Sequence, residues 1–162
     1  MQLRPVPLSK AGFAPFGEVV EIEEAERSLI NQGFAERFSD LARVDVATEG
    51  GSVNVSIVIA EPRPTPIAIK LMERHPLGSQ IFYPLQDRPW LVLVCADPKD
   101  AVSFCCFSAT GRQGVNYARS TWHHPLLVVD EGSRFLVIDR KGPGNNMEEV
   151  ALNIGVELVL AF

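Results

Sequence analysis

Apolar positions along the chain recur mostly with period two, in short runs. In Val53–Ala60 (VNVSIVIA), Val53, Val55, Ile57 and Ile59 alternate with Asn54 and Ser56, which predicts a strand with one aliphatic face. Gly17–Ile22, Ile67–Arg74, Ile81–Leu85, Trp90–Ala96, Val102–Phe107, Leu126–Asp130, Phe135–Ile138 and Val156–Ala161 read as further strands. Pro62, Pro64 and Pro66 make a connector that forbids a central strand. Glu131-Gly132-Ser133 reads as a hairpin turn, and the Gly142–Asn146 stretch as a loop. Helical periodicity is almost absent. Ser9 can cap one short helix, ended by Pro15 and Gly17, and Met147–Leu152 is expected to form a second. Roughly nine or ten short strands with frequent turns predict an all-β fold with minor short helices, a sandwich or barrel. A parallel α/β fold is excluded because the crossover helices are missing. There is neither a repeat nor a linker, so a single domain over residues 1–162 is expected.

Composition narrows the partners. The net charge of −5, from 15 basic and 20 acidic residues without a Lys/Arg cluster, argues against a nucleic-acid backbone or an anionic membrane surface. No run approaches the ~18 apolar residues of a membrane span, and the opening MQLRPVPLSKAGF does not read as a signal peptide. Cys95, Cys105 and Cys106 are odd in number and lie in apolar runs, which predicts buried reduced thiols and a cytoplasmic location. Phe82, Trp90, Phe104, Phe107, Trp122 and Phe135 are expected in the core, and Glu21–Arg27 on a solvated surface.

All three histidines fall in two polar blocks at strand ends, Glu73–Pro84 (ERHPLGSQIFYP) and Gly114–Pro125 (GVNYARSTWHHP). Polar groups there would face a barrel mouth, a common place for a small ligand. Glu73 and His75 are two residues apart and project to the same face of a strand. Gln80 follows across a Pro-Leu-Gly turn, and a hairpin return would set its amide beside the imidazole. His123 and His124 are adjacent and on an extended chain face opposite sides, so at most one of them points into the pocket of Glu73 and His75 unless the strand is bulged there, and His123 is the one expected. Two histidines and one carboxylate also form a common metal-ligand set. The competing reading has these histidines satisfying backbone groups at turns beside prolines.

The blocks resemble the two motifs of the cupin superfamily, whose members are double-stranded β-helix, jelly-roll barrels. The usual first motif is His-x-His, four residues, then Glu, and the second ends in a further His. Here Glu73-x-His75, four residues, then Gln80 occupies the first, and His123 is the later histidine. Glu and Gln replace two of the four usual ligands, and Gln is a neutral, weak donor. More specifically, ERHPLGSQIFYPL, GRQGVNYARSTWHHPL, FLVIDR and INQGFAERFSDLA resemble the ureidoglycolate lyase family, from Leu8–Gly17 to Glu148–Leu158.

That resemblance implies a carbon–nitrogen lyase of allantoin and purine breakdown, splitting (S)-ureidoglycolate into glyoxylate and urea. It implies a homodimer and no organic cofactor. A divalent metal, nickel among the candidates, stays open, with Glu73, His75 and His123 as its ligands. The substrate carbon bears a hydroxyl, a carboxylate and a ureido nitrogen. Cleavage removes the hydroxyl proton and protonates the departing nitrogen, so one base and one acid suffice. His75 and His123 are the candidates, in either order, with Glu73 orienting an imidazole or acting as base. The carboxylate calls for a guanidinium clamp, for which Arg140 is preferred over Arg74 and Arg119. Gln80, Asn116, Asn31, Tyr83 and His124 complete the expected substrate contacts. Two further readings remain: a metal-dependent cupin enzyme of another class, and a non-catalytic cupin that binds a small carboxylate.

Overall fold

Ser9 opens the helix it was expected to cap. Its side chain accepts a hydrogen bond from the Gly12 amide, and α1 (Lys10–Phe13) buries Phe13 completely. Residues 1–158 are described by this computed structural model. Apart from 3-10 turns at Asn31–Gly33, Thr48–Gly50 and Ala101–Ser103, the other elements are strands: β1 (Gln2–Leu3), β2 (Val6–Pro7), β3 (Gly17–Val20), β4 (Glu26–Ile30), β5 (Ala35–Ser39), β6 (Ser52–Ala60), β7 (Ile67–Arg74), β8 (Gln80–Pro84), β9 (Trp90–Cys95), β10 (Phe104–Ala109), β11 (Gly114–Tyr117), β12 (Trp122–His123), β13 (Leu127–Val128), β14 (Ser133–Lys141) and β15 (Glu148–Leu158).

One sheet runs β1-β15-β7-β12-β9-β10-β2, with β13 on β9; the other runs β3-β11-β8-β14-β6. β4 and β5 form a separate hairpin. Alternation builds the core between the two sheets. Trp90, Val92 and Val94 of β9 meet Val115 of β11 and Phe135 and Val137 of β14, joined by Phe13, Phe107 and Tyr117. The opposite parity of β9, Leu91, Leu93 and Cys95, is also buried, in a second cluster with Ile67, Ile69 and Met72 of β7 and Val156 and Leu158 of β15. The architecture is all-β, two sheets packed face to face around a shared core, as the alternation led us to expect. Among the described residues no helix is long and apolar enough to cross a membrane.

Several local expectations change. Met147–Leu152 is not a helix but the start of β15, because Val150, Leu152 and Ile154 alternate with exposed residues. Gly155, at φ +59°, sits where the β15–β7 register shifts, and it had masked the continuity of the strand. The Glu131–Ser133 turn closes no hairpin: β13 pairs with β9 and β14 with β8 and β6, so the turn crosses between sheets. The Glu21–Arg27 charge run is mostly exposed, as expected, although its end lies in β4, where Arg27 pairs with Glu36 of β5. β11 and β12, read only as polar blocks, are strands. The last strand extends to Leu158, and positions 159–161 of the expected Val156–Ala161 lie outside the described residues.

Candidate active site

β12 is short, but it is held on both sides. His123 stands opposite Glu73 of β7 and Val94 of β9. Val94 belongs to the core between the sheets, so strand parity turns His123 inward and leaves it 2% exposed. Beyond β7 the chain continues to His75, whose carbonyl accepts from the Ser120 amide at 2.9 Å. This bond ties the first polar block to the second. Pro76 follows, and β8 returns the chain with Gln80 opposite Tyr117 of β11.

The two imidazoles meet inside. Their ring centroids are 5.2 Å apart, and Tyr117 stacks on His123 at 4.1 Å with ring planes 10° apart. Each Nδ1 is engaged by a backbone carbonyl at 2.8 Å, Asn146 for His75 and Thr121 for His123. A carbonyl only accepts, so each Nδ1 carries a proton and each ring turns its Nε2 inward. Both Nε2 atoms are buried without a hydrogen-bond partner. His123 Nε2 lies 3.5 Å from Glu73 Oε1, an electrostatic contact rather than a hydrogen bond. Donor atoms of Glu73, His75 and His123 all lie within 4.8 Å of one another.

A polar strip of the second sheet faces this cluster. Asp139 of β14 accepts from Asn54 Nδ2 at 2.9 Å and from Gln80 Nε2 at 3.5 Å. Because the carboxylate draws the NH2 end of the amide, Gln80 directs its Oε1 elsewhere, and that atom is buried without a partner. Asp139 and Asn54 were missed by the sequence reasoning. The available signal was parity: Asp139 is in phase with core residues Phe135 and Val137, so a carboxylate there points inward.

Burial and charge set the protonation states. Burial pushes the His75 pKa below the ordinary histidine value, against the hydrogen bond to Asn146 and the charges of Glu73 and Asp139, which favour the cation. For Glu73, burial opposes ionisation, yet attraction to His123, His75 and His124 outweighs it and holds the carboxyl below its usual value. His75 is thus poised neutral and Glu73 ionised.

The remaining expected residues lie elsewhere. His124 is buried, with Nδ1 2.7 Å from the Pro125 carbonyl; burial takes its pKa down to about 4. Arg140 is on the face of β14 opposite Asp139, donating from Nε and Nη2 to the Thr48 carbonyl and from Nη2 to the Pro143 carbonyl. Asn116 is on the face of β11 opposite Tyr117, and its amide donates to Glu18 and to the Arg43 carbonyl. Tyr83 shares Asn116's side of the second sheet, beside Gly114. Asn31 is exposed at the turn of the β4–β5 hairpin. The fold brings Glu73, His75, His123 and Gln80 together, and it leaves Arg140, Asn116, Asn31 and Tyr83 outside the cluster.

The family model described as ureidoglycolate lyase matches residues 1–159. The chain belongs to the ureidoglycolate lyase family. It is 54% identical over 144 residues to "Ureidoglycolate lyase 1" of Rhizobium meliloti, covering 88% of this chain and 85% of that one. It is 49% identical over the same shares to a ureidoglycolate lyase of Burkholderia mallei. Among solved structures it is similar to Bacillus subtilis oxalate decarboxylase, at a TM-score of 0.38 and 14% identity over 68% of this chain and 30% of that one. In this member of the ureidoglycolate lyase family, the strings ERHPLGSQ and NYARSTWHHPL are the ones that the Ser120–His75 bond and the β7–β12 pairing join.

Proposed function

We propose that the chain cleaves (S)-ureidoglycolate into glyoxylate and urea, a step of allantoin and purine degradation, and that it works in the cytoplasm as a homodimer. The relatives named for this activity, at about half identity, support the reaction. The carrying observation is the pair of inward, unpartnered Nε2 atoms beside an ionised carboxylate.

The reaction needs a group that accepts the hydroxyl proton as the carbonyl forms, and one that supplies a proton to nitrogen as the C–N bond breaks. The electron pair of that bond leaves with the nitrogen, so nothing is oxidised or reduced. His75 suits the first role, since it is held neutral with a bare Nε2. His123, whose Nε2 lies 3.5 Å from Glu73 Oε1 in the same cluster, is assigned the second role. Gln80 Oε1 accepts from the N–H groups of the ureido end. A second reading rests on the same atoms. Two Nε2 donors with tied-back Nδ1 protons and one carboxylate fit a divalent cation, held by Glu73, His75 and His123 with Gln80 beside them. Such an ion would lend positive charge to the substrate's hydroxyl and carboxylate oxygens.

His75→Ala and His123→Ala are each expected to cut urea release from racemic ureidoglycolate by at least ~100-fold, with an unchanged circular dichroism spectrum. Full turnover in both variants would remove the cluster from the reaction, and binding of ureidoglycolate without urea release by the wild type would leave a non-catalytic cupin. Repeating the assay after chelation, with metal analysis, sorts the two readings. Proton transfer by the imidazoles keeps its rate in stripped protein, whereas ligation loses it and regains it with a divalent ion.

A further inference from the structure

Tyr117 and His123 belong to opposite sheets, yet only five residues separate them. The turn between β11 and β12 is closed on one atom. The Phe16 carbonyl oxygen accepts from the Ala118 amide at 3.0 Å and from Thr121 Oγ1 at 2.8 Å. Ser120 reverses the chain inside this turn at φ +64°. The two rings are thereby delivered face to face across the core, their centroids 4.1 Å apart and their planes within 10°. Aromatic pairs ordinarily keep their centroids roughly 4.5–7 Å apart, so this pair is in full van der Waals contact. His123 has need of such a contact. Its Nδ1 bond runs to a carbonyl two residues back in its own chain and fixes a single point of the ring. One hydrogen bond tolerates considerable misalignment, and χ2 of a histidine is a broad torsion. The imidazole is free to tilt about that bond and to swing Nε2 away from Glu73 and His75. A flat ring pressed against one face removes this freedom without covering Nε2.

Tyr117 is itself held fast. It is buried, with the Phe13 and Phe82 rings 6.0 and 6.1 Å away. β3 and β8 flank its backbone at Gly17 and Gln80. A Cβ on Gly17 would stand 1.9 Å from the Asn116 carbonyl oxygen, so glycine is what lets β3 lie this close. We propose that Tyr117 is a positioning residue, its ring setting the plane of the His123 imidazole and hence the direction of Nε2, while its hydroxyl takes no part in the reaction. Phe13, which the Ser9-capped helix buries, backs this ring, so α1 reaches the site through Tyr117. The effect on rate rests on the lyase reading above; the stack itself does not.

Tyr117→Phe and Tyr117→Met separate the ring from the hydroxyl. Phenylalanine keeps the flat face and should release urea within about twofold of the wild-type rate. Methionine fills comparable space without a plane. It should lower kcat roughly 10- to 100-fold and move KM by less than about threefold, as expected when reacting groups are out of line in a folded site. Circular dichroism checks the fold of each variant. Proton NMR reads the stack directly, with the His123 ring signals assigned by their loss in His123→Ala. These signals should lie upfield, over the aromatic face, in the wild type and in Tyr117→Phe, and should return toward the free-histidine position in Tyr117→Met. Should methionine spoil folding, the wild-type and Tyr117→Phe measurements still decide. Full turnover in folded Tyr117→Met, a loss in Tyr117→Phe as deep as that expected for methionine, or unshifted His123 protons in the wild type overturns the assignment. A wild type with shifted His123 protons that releases no urea would count against the lyase reading alone.

Discussion

A neutral imidazole offers one lone pair, and the hydrogen bond at its other nitrogen decides where that lone pair points. In His75 and His123 a backbone carbonyl makes this decision, so rigid main chain rather than a second side chain aims both Nε2 atoms. Gln80 is aimed differently, by the Asp139 carboxylate. Asp139→Asn would let the Gln80 amide turn over, because an asparagine can meet either end of it. Losing one oriented hydrogen bond costs about 1–2 kcal/mol, roughly 5- to 30-fold in kcat/KM. We expect Asp139→Asn and Gln80→Ala each to show such a loss in the urea-release assay, and the double variant to lose little more than either alone. Losses that multiply in the double variant would mean that Asp139 does not act through Gln80. Glu73, His75, Gln80 and His123 were legible because they cluster in polar blocks. Asp139 and Asn54 were not, since a polar residue inside an apolar strand reads equally well as an edge contact until the partner strand and register are known.

At the scale of elements, parity governed what could be read. Long alternating runs such as β6 and β14 are plain in sequence. β11 and β12 are not, because their stability comes from neighbours rather than from their own short stretches. Parity also separates Arg140 from Asp139, adjacent in sequence but on opposite faces. Arg140 bridges two loops: its guanidinium holds the Thr48 carbonyl on one side and Pro143 on the other. Gly51 and Gly78 make room for it, and a Cβ on Gly51 would stand 2.3 Å from Arg140 Nε. The Pro143 loop leads to Asn146, whose carbonyl orients His75 and whose side chain accepts from the Leu77 amide. Arg140 therefore lies two contacts away from the imidazole, and we expect it to act by positioning rather than by touching substrate. Arg140→Met should lower stability by about 2–3 kcal/mol, since it removes the charge-assisted hydrogen bonds to the Thr48 and Pro143 carbonyls. Urea melts would show this, and kcat should fall more than KM rises. Unchanged stability with a raised KM alone would restore the carboxylate clamp that the sequence suggested.

For the whole molecule, the buried histidines set the response to acid. His124 is 3% exposed and its folded pKa is near 4, against 6.5 for the free group. The native state therefore holds its imidazole neutral, while the unfolded chain takes up a proton as soon as the pH falls below about 6.5. Stability from this group is complete above that point and lost as pH falls toward the folded value. The slope is about 1.4 kcal/mol per pH unit, reaching about 3 kcal/mol near pH 4. His75, also lowered, adds to the loss with the same sign. Glu73, a carboxyl held below its usual value, contributes stability above about pH 4.5 that disappears only at lower pH. The histidines thus act first, and acid destabilisation should begin between pH 6.5 and 5, before the carboxylates titrate. In metal-free protein the urea midpoint should fall steadily from pH 7 to pH 5, and His124→Gln should flatten that fall. A midpoint constant to pH 5 in the wild type would show that His124 is protonated as readily in the native state as in the unfolded chain, and the tight closure of the first sheet around it would have to be given up.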